Sequence, residues 1–188
     1  MRPRTDTKIP VVVIFAPTAC GKTALIEKTF GKGGLAVFKD RAEIISADSQ
    51  SVYRGMNIGT AKPSAGEMEQ IPYHLVNVAD PSEQFGAGEF IEYADRACKD
   101  IYSRSKIPVL AGGTGFYIRN FLLGLPVTPA SDPAIRQSLK QRLESAGSQS
   151  LYAELTIADP VSAKRINPHD NYRILRALEV YYTCGRPL

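Results

Sequence analysis

The sequence predicts an α/β fold, a parallel sheet flanked by helices, with an α-helical insert in the second half. Two observations carry this reading. Short β-branched and apolar runs alternate with helical patterns up to about residue 120, the signature of strand–helix–strand units. After Gly124 a proline-rich connection, LPVTPASDP, leads into segments of helical character only.

Residues 11–15 form a continuous run of branched and aromatic side chains, as expected for a strand buried on both faces of a sheet. Residues 23–30 follow as a helix. Residues 43–47 (EIISA) read as a second strand, and 108–111 as another, ended by the paired glycines 112 and 113. Between them, residues 89–105 place Phe90, Ile91, Ala94, Ala97, Cys98 and Ile101 at helical spacing, an amphipathic helix that packs on the sheet. Beyond the connection, Ser131-Asp132-Pro133 is a helix start, and helical pieces are expected at 133–146, 150–157, 160–166 and 170–182. The organisation expected is an α/β core at 1–120, a helical insert at 121–169 and a helix at 170–188 that returns to the core.

Composition fits a globular protein with a real core. The 188 residues are 44% hydrophobic and 22% charged, ordinary values that argue against bulk disorder. The net charge is +4; basic residues are in excess in 1–60 and 160–188, while 61–159 leans acidic. That distribution would suit a polyanionic partner, but on charge alone a solvated surface is the preferred reading. Cys20, Cys98 and Cys184 are far apart and form no C-x-x-C pair, which excludes a disulfide framework or zinc module and fits a reducing, cytoplasmic setting. No stretch approaches the ~20 apolar residues that span a bilayer, and the run at 11–15 is too short for the core of a secretion signal. No membrane role is expected.

The strongest local signal sits directly after the first strand. Ala16-Pro17-Thr18-Ala19-Cys20-Gly21-Lys22-Thr23 matches G-x-x-x-x-G-K-[ST], with Ala16 in place of the first glycine. A tight turn there aims backbone N–H groups at phosphate oxygens at a helix N-terminus. Lys22 adds positive charge and the Thr23 hydroxyl is placed to ligand Mg2+. Pro17 biases Ala16 toward extended conformations that alanine adopts without strain. The fold expected is therefore P-loop NTPase-like. The motif alone points to ATP or GTP, hence to a kinase or NTPase. The second strand ends in Ser46-Ala47-Asp48-Ser49, which delivers a carboxylate to the C-terminal edge of the sheet, where ligands of such sheets bind. Asp48 there fits a magnesium-binding acid or a general base; aspartates also simply cap loops.

Five motifs in order, APTACGKT, SADSQSVYRGMNIGTAKP (46–63), PYHL (72–75), GGTGFYI (112–118) and DPVSAKRINPHDNYRILRALEV (159–180), resemble those of the tRNA dimethylallyltransferases, or tRNA isopentenyltransferases. The resemblance implies transfer of a dimethylallyl group from dimethylallyl diphosphate to an adenine beside the anticodon of tRNA. By that resemblance the loop from Ala16 to Thr23 grips the diphosphate with Mg2+, and Asp48 is the general base. Ser49, Gln50, Ser51, Thr114, Arg136, Tyr172, Arg173 and Arg176 match positions that face tRNA. Arg173 and Arg176 lie three apart, on one helical face. The glycines of GGTGFY equally fit a strand-ending turn with positive φ, Tyr172 fits an ordinary surface aromatic, and His74 and His169 are read as loop hydrogen-bonders. The chain departs from the family pattern at several places. Ala16 replaces glycine, Ser51 glutamine, Asn57 and Asn77 aspartates, Tyr73 histidine, Tyr172 glutamine and His169 asparagine. Members of the family, monomeric at full length by this reading, continue well beyond the final Cys-Gly-Arg-Pro-Leu. The 188 residues alone are accordingly expected to bind magnesium diphosphate, prenylate poorly and leave apolar sheet surface uncovered. A small-metabolite kinase and an inactive remnant are the competing readings.

Overall fold

A computed structural model describes residues 8–125, 129 and 131–187. The chain divides into two compact units, Met1–Leu125 and Pro126–Leu188. Residues 126–128 and 130 of the proline-rich connection lie outside the described residues.

The first unit is the predicted α/β core. Its elements are β1 (Val12–Phe15), α1 (Lys22–Phe30), β2 (Ala42–Ser46), α2 (Ala65–Gln70), β3 (Tyr73–His74), α3 (Ala87–Ser103), β4 (Ile107–Gly112) and α4 (Gly115–Leu123). The four strands are all parallel, in the order β1-β4-β2-β3. Parallel neighbours need crossover helices, and these cover both faces of the two middle strands. Successive residues of β2 and β4 therefore feed different cores: Ile45 and Leu110 pack with Phe90, Ala94 and Ile101 of α3, while Ile44 and Val109 pack with Ile26 and Phe30 of α1. Phe90 is fully buried and stacks on Tyr117 with ring centroids 4.4 Å apart. Truncating it to alanine removes about 3–5 kcal/mol of packing.

Two expectations are corrected here. β1 is not buried on both faces: among the described strands it lies at the sheet edge, with Val12, Val13 and Phe15 exposed. An apolar run specifies a strand but not its rank in the sheet. His74 is no loop residue; it sits on β3 and its Nε2 meets Glu43 Oε2 at 2.7 Å. α2, β3 and α4 were not foreseen. α2 is marked by a capping box, in which Ser64 Oγ accepts the Glu67 N–H and Glu67 Oε2 accepts the Ser64 N–H.

The second unit is helical: α5 (Pro133–Ala158), α6 (Pro160–Ala163) and α7 (Asn171–Cys184). Asp132 caps α5 by accepting the Ala134 and Ile135 N–H groups. Gly147, at φ 77°, breaks α5 between the two pieces that the sequence predicts. Leu139, Leu151 and Leu155 of α5 share a core with Ala163 of α6 and with Ile174, Ala177 and Leu178 of α7. α7 thus completes the core of its own unit.

Candidate active site at the phosphate loop

Each candidate side chain in the first unit is placed by a strand tip or a helix start. β1 runs into the phosphate loop, and Gly21, at φ 78°, turns the chain into α1. That left-handed turn is the conformation glycine adopts without strain. Residues Pro17, Thr18, Ala19, Cys20, Gly21 and Thr23 are exposed, so the loop is open to solvent. Lys22 reaches back over it, donating from Nζ to the carbonyls of Pro17 at 2.7 Å and Ala16 at 2.8 Å. This holds the ammonium at the mouth of the loop.

The tips of β1, β2 and β4 converge here by close backbone approach. A Cβ on Gly112 would stand 2.1 Å from the Ala47 carbonyl oxygen, so no other residue fits. Neither Gly112 nor Gly113 has positive φ; the need is proximity, a correction to the turn reading of GGTGFY. Thr114 then opens α4, and its Oγ1 accepts the Ser49 N–H at 3.0 Å. A threonine 65 residues downstream thereby steadies the loop after β2.

Asp48 leaves the tip of β2 half-buried. Its Oδ1 accepts the Gln50 and Ser51 N–H groups at 2.8 and 3.1 Å, and no ion pair to it is found among the described residues. Ser51 is 1% exposed and shares a hydrogen bond with Ser46 at 3.0 Å between their Oγ atoms, so it forms part of the cleft floor. Gln50 is exposed. Lys22, Thr23, Ser46, Asp48 and Ser51 line one open cleft. Ile26, Ala61, Pro63 and Tyr73 supply an apolar side that sequence reasoning missed. Tyr73, from the PYHL motif, has its phenol pushed up to about 12, mainly by burial. The cleft thus joins the lysine and threonine of the loop, a carboxylate and an apolar wall.

The other candidates lie in the second unit. Arg136 holds its guanidinium 5.9 Å from the centre of the Tyr172 ring, and Tyr172 is 69% exposed. Arg173 is exposed and pairs with the helix cap Asp170 at 2.5 Å. Arg176 is less accessible: it donates to Glu179 Oε2 at 3.0 Å and to the Pro129 carbonyl at 2.9 Å. Burial would raise the Glu179 pKa, but bonds from Ser131 and Arg176 outweigh it and hold the carboxyl below its ordinary value. Three residues along a helix, one arginine is presented to solvent and its neighbour is built into the packing.

No group of three His, Cys, Asp or Glu side chains able to hold a metal occurs among the described residues. None of the described helices is long and apolar enough to cross a membrane.

A family model for IPP transferase matches residues 51–188. The tRNA dimethylallyltransferase 1 of Trichlorobacter lovleyi is 47% identical over 188 residues, covering 100% of this chain and 57% of the relative. That of Syntrophotalea carbinolica is 45% identical, covering 97% and 56%. These alignments take in the phosphate loop and Asp48, which the family model does not reach. Among solved structures, the full-length tRNA isopentenylpyrophosphate transferase of Bacillus halodurans matches at 36% identity and a TM-score of 0.56, over 96% of this chain and 57% of that one. A eukaryotic dimethylallyltransferase described as acting on tRNA matches at 32% identity and a TM-score of 0.74, over 94% and 42%. The chain spans just over half the length of the curated relatives it matches.

Proposed function

Because the chain belongs to the IPP transferase family, we propose that the protein transfers a dimethylallyl group from dimethylallyl diphosphate to the exocyclic N6 of an adenine next to the anticodon of tRNA, in the cytoplasm. The observation that carries the reading is one cleft holding both Lys22 and Asp48, a phosphate grip beside a carboxylate with no ion pair among the described residues. In the reaction N6 attacks the allylic carbon, the carbon–oxygen bond breaks, and its electron pair leaves with diphosphate. The proton of N6 passes to Asp48, which supplies general-base help to a poor nucleophile. Negative charge grows on the departing oxygens, where Lys22 and the N–H groups from Thr18 to Thr23 meet it. The adenine must leave its stack to reach the cleft.

Hard oxygen donors suit Mg2+, which commonly binds through one or two protein groups together with substrate phosphates. The Thr23 hydroxyl and the Asp48 carboxylate line the same cleft and fit that donor set, with Thr23 the residue that would hold the ion. When bound, Mg2+ neutralises charge on the leaving diphosphate. For tRNA, Ser49, Gln50 and Thr114 stand around Asp48 in the first unit, with Ser51 on the cleft floor. Arg136, Tyr172 and Arg173 offer cations and an aromatic face in the second.

A small-metabolite kinase would use the same loop, with Asp48 as base toward a hydroxyl. The test is incubation with tRNA and dimethylallyl diphosphate, followed by mass spectrometry of anticodon-loop nucleosides. A prenylated adenosine with release of diphosphate is expected. ADP formation from ATP with no prenylated nucleoside would establish the kinase reading instead.

A further inference from the structure

The loop between Asp48 and α2 has little regular structure to hold it. It runs without helix or strand from residue 47 to residue 64, Gly55 and Gly59 have φ of 75°, and Ala61 is left-handed at φ 49°. A residue with a Cβ resists that conformation by about 1–2 kcal/mol, so surrounding contacts must maintain it.

Backbone bonds of Val52 and Arg54 to residues 78 and 79, and the Thr114 bond to Ser49, hold the first limb of the loop; one ammonium ties that limb to the stretch around Ala61. Lys62, half-buried, donates from Nζ to the Tyr53 carbonyl at 2.6 Å, to Asn77 Oδ1 at 2.7 Å and to Asn57 Oδ1 at 3.0 Å. An ammonium has three N–H donors and no acceptor, so each donor has its own oxygen. The three oxygens come from both limbs of the loop and from the segment after β3. All are neutral, and burial draws the Lys62 pKa down. Asn77 is itself held at positive φ, and its N–H donates at 3.1 Å to the carbonyl of Ser51, whose own N–H donates to Asp48 Oδ1. On either side of Lys62, Ala61 and Pro63 wall the cleft that contains Lys22 and Asp48.

We propose that Lys62 is a positioning residue whose three-point clamp sets the Ala61 and Pro63 wall and the Asp48 loop, and thereby how tightly the cleft closes on diphosphate. Its effect on affinity rests on the diphosphate reading of the cleft; its effect on the loop does not. Lys62 touches loop oxygens and acts on the substrate only through them.

The test uses the full chain and the variants Lys62→Met, Lys62→Arg and Asn77→Ala. Without ligand, hydrogen exchange at the amides of Gln50, Ser51 and Asn77 should quicken about tenfold in Lys62→Met, while that of α3 stays unchanged. Calorimetry with inorganic diphosphate and Mg2+ should show affinity falling about tenfold in Lys62→Met. Asn77→Ala keeps the charge and removes one arm of the clamp, so it should weaken binding in the same direction and add little to Lys62→Met. Arginine keeps the charge but presents a planar fork, so Lys62→Arg should restore affinity only in part. Unchanged exchange at the three amides overturns the proposal. So does full restoration by Lys62→Arg with no effect of Asn77→Ala, because Lys62 would then act as charge alone. A wild-type chain that binds no magnesium diphosphate, yet whose loop exchange depends on Lys62, overturns the diphosphate reading and supports the clamp.

Discussion

β2 carries a carboxylate near its start and delivers another just beyond its tip, and the two are treated in opposite ways. Glu43 is 2% exposed and meets three basic side chains: Arg104 at 2.5 and 2.8 Å, His74 at 2.7 Å and Lys106 at 2.9 Å. The Arg104 guanidinium, ahead of the opposing effect of burial, holds the Glu43 carboxyl well below the usual carboxylate range. Arg104 in turn is shared with Asp100 at 2.7 Å, and its own pKa is raised, chiefly by Glu43. Among the described residues Asp48 meets two backbone N–H groups and no ion-pair partner. A buried charge must be compensated for the fold to stand, whereas a base must keep a basic oxygen open to its substrate. Burial and partners, not residue type, separate a structural carboxylate from a chemical one.

Exchanging the two losses is the sharpest probe of that difference. Asp48→Asn should lower prenyl transfer by roughly 10²–10⁴-fold, the usual range for losing acid–base help, with an unchanged thermal midpoint and unchanged affinity for magnesium diphosphate. Near-normal turnover would remove Asp48 from the mechanism and erase the contrast with Glu43.

Glu43→Gln should do the reverse. Removing one partner of a buried ion network typically costs about 3–5 kcal/mol; because Arg104 and Lys106 reach solvent, about 2–3 kcal/mol is expected in denaturant titrations. The pH dependence follows in sign. A carboxyl whose folded pKa lies below its ordinary value of 4.5 contributes stability above that pH and loses it as pH falls further. The gap between wild type and Glu43→Gln should therefore be full at neutral pH and shrink below about pH 4.5. A gap that does not change with pH would mean that Glu43 stabilises by shape alone.

Lys22→Ala tests the other half of the cleft. Charge-assisted hydrogen bonds are worth about 1.5–3 kcal/mol, so calorimetry should show magnesium diphosphate binding roughly 10–100-fold weaker. Affinity for tRNA should barely move. Unchanged diphosphate affinity would reduce the loop to a structural turn.

The smallest effects are expected from Arg173 and Arg176, where the same contrast recurs within one helix. Arg173→Gln should leave the thermal midpoint alone and flatten the salt dependence of tRNA binding by about 0.7–0.9 in log–log slope, one phosphate contact. Arg176→Gln should lower the midpoint, because Glu179 loses its cation. If both variants changed only the salt slope, Arg176 would be a tRNA contact and not a brace.

What residues decide with their neighbours in sequence could be read in advance. The strand, phosphate loop and helix at Val12–Phe15 and Lys22–Phe30 stand where the motif puts them, since a tight Gly-Lys-Thr turn and its flanking periodicity are local. The buried face of α3 appears at the predicted spacing, and Asp132 caps α5 as Ser-Asp-Pro implies. The Ser64–Glu67 capping box was equally local and could have revealed α2. α4, GFYIRNFLL, was hidden because its apolar residues run nearly all round and show no period.

Whatever depends on distant segments meeting was decided by tertiary structure. The apolar run of β1 reads like any central strand, yet pairing to β4 alone leaves it at the edge of the described sheet. β3 is two residues long and exists only because Ile44 and Ile45 offer it a partner. Glycine at 112 reflects the Ala47 carbonyl lying against it, 65 residues away. Glu43 and His74 are 31 residues apart, and the oxygens around Lys62 come from positions 53, 57 and 77. Motifs name the groups that a site contains. Which of them are compensated, braced or left open to substrate is set by burial and by partners that the chain brings in from afar.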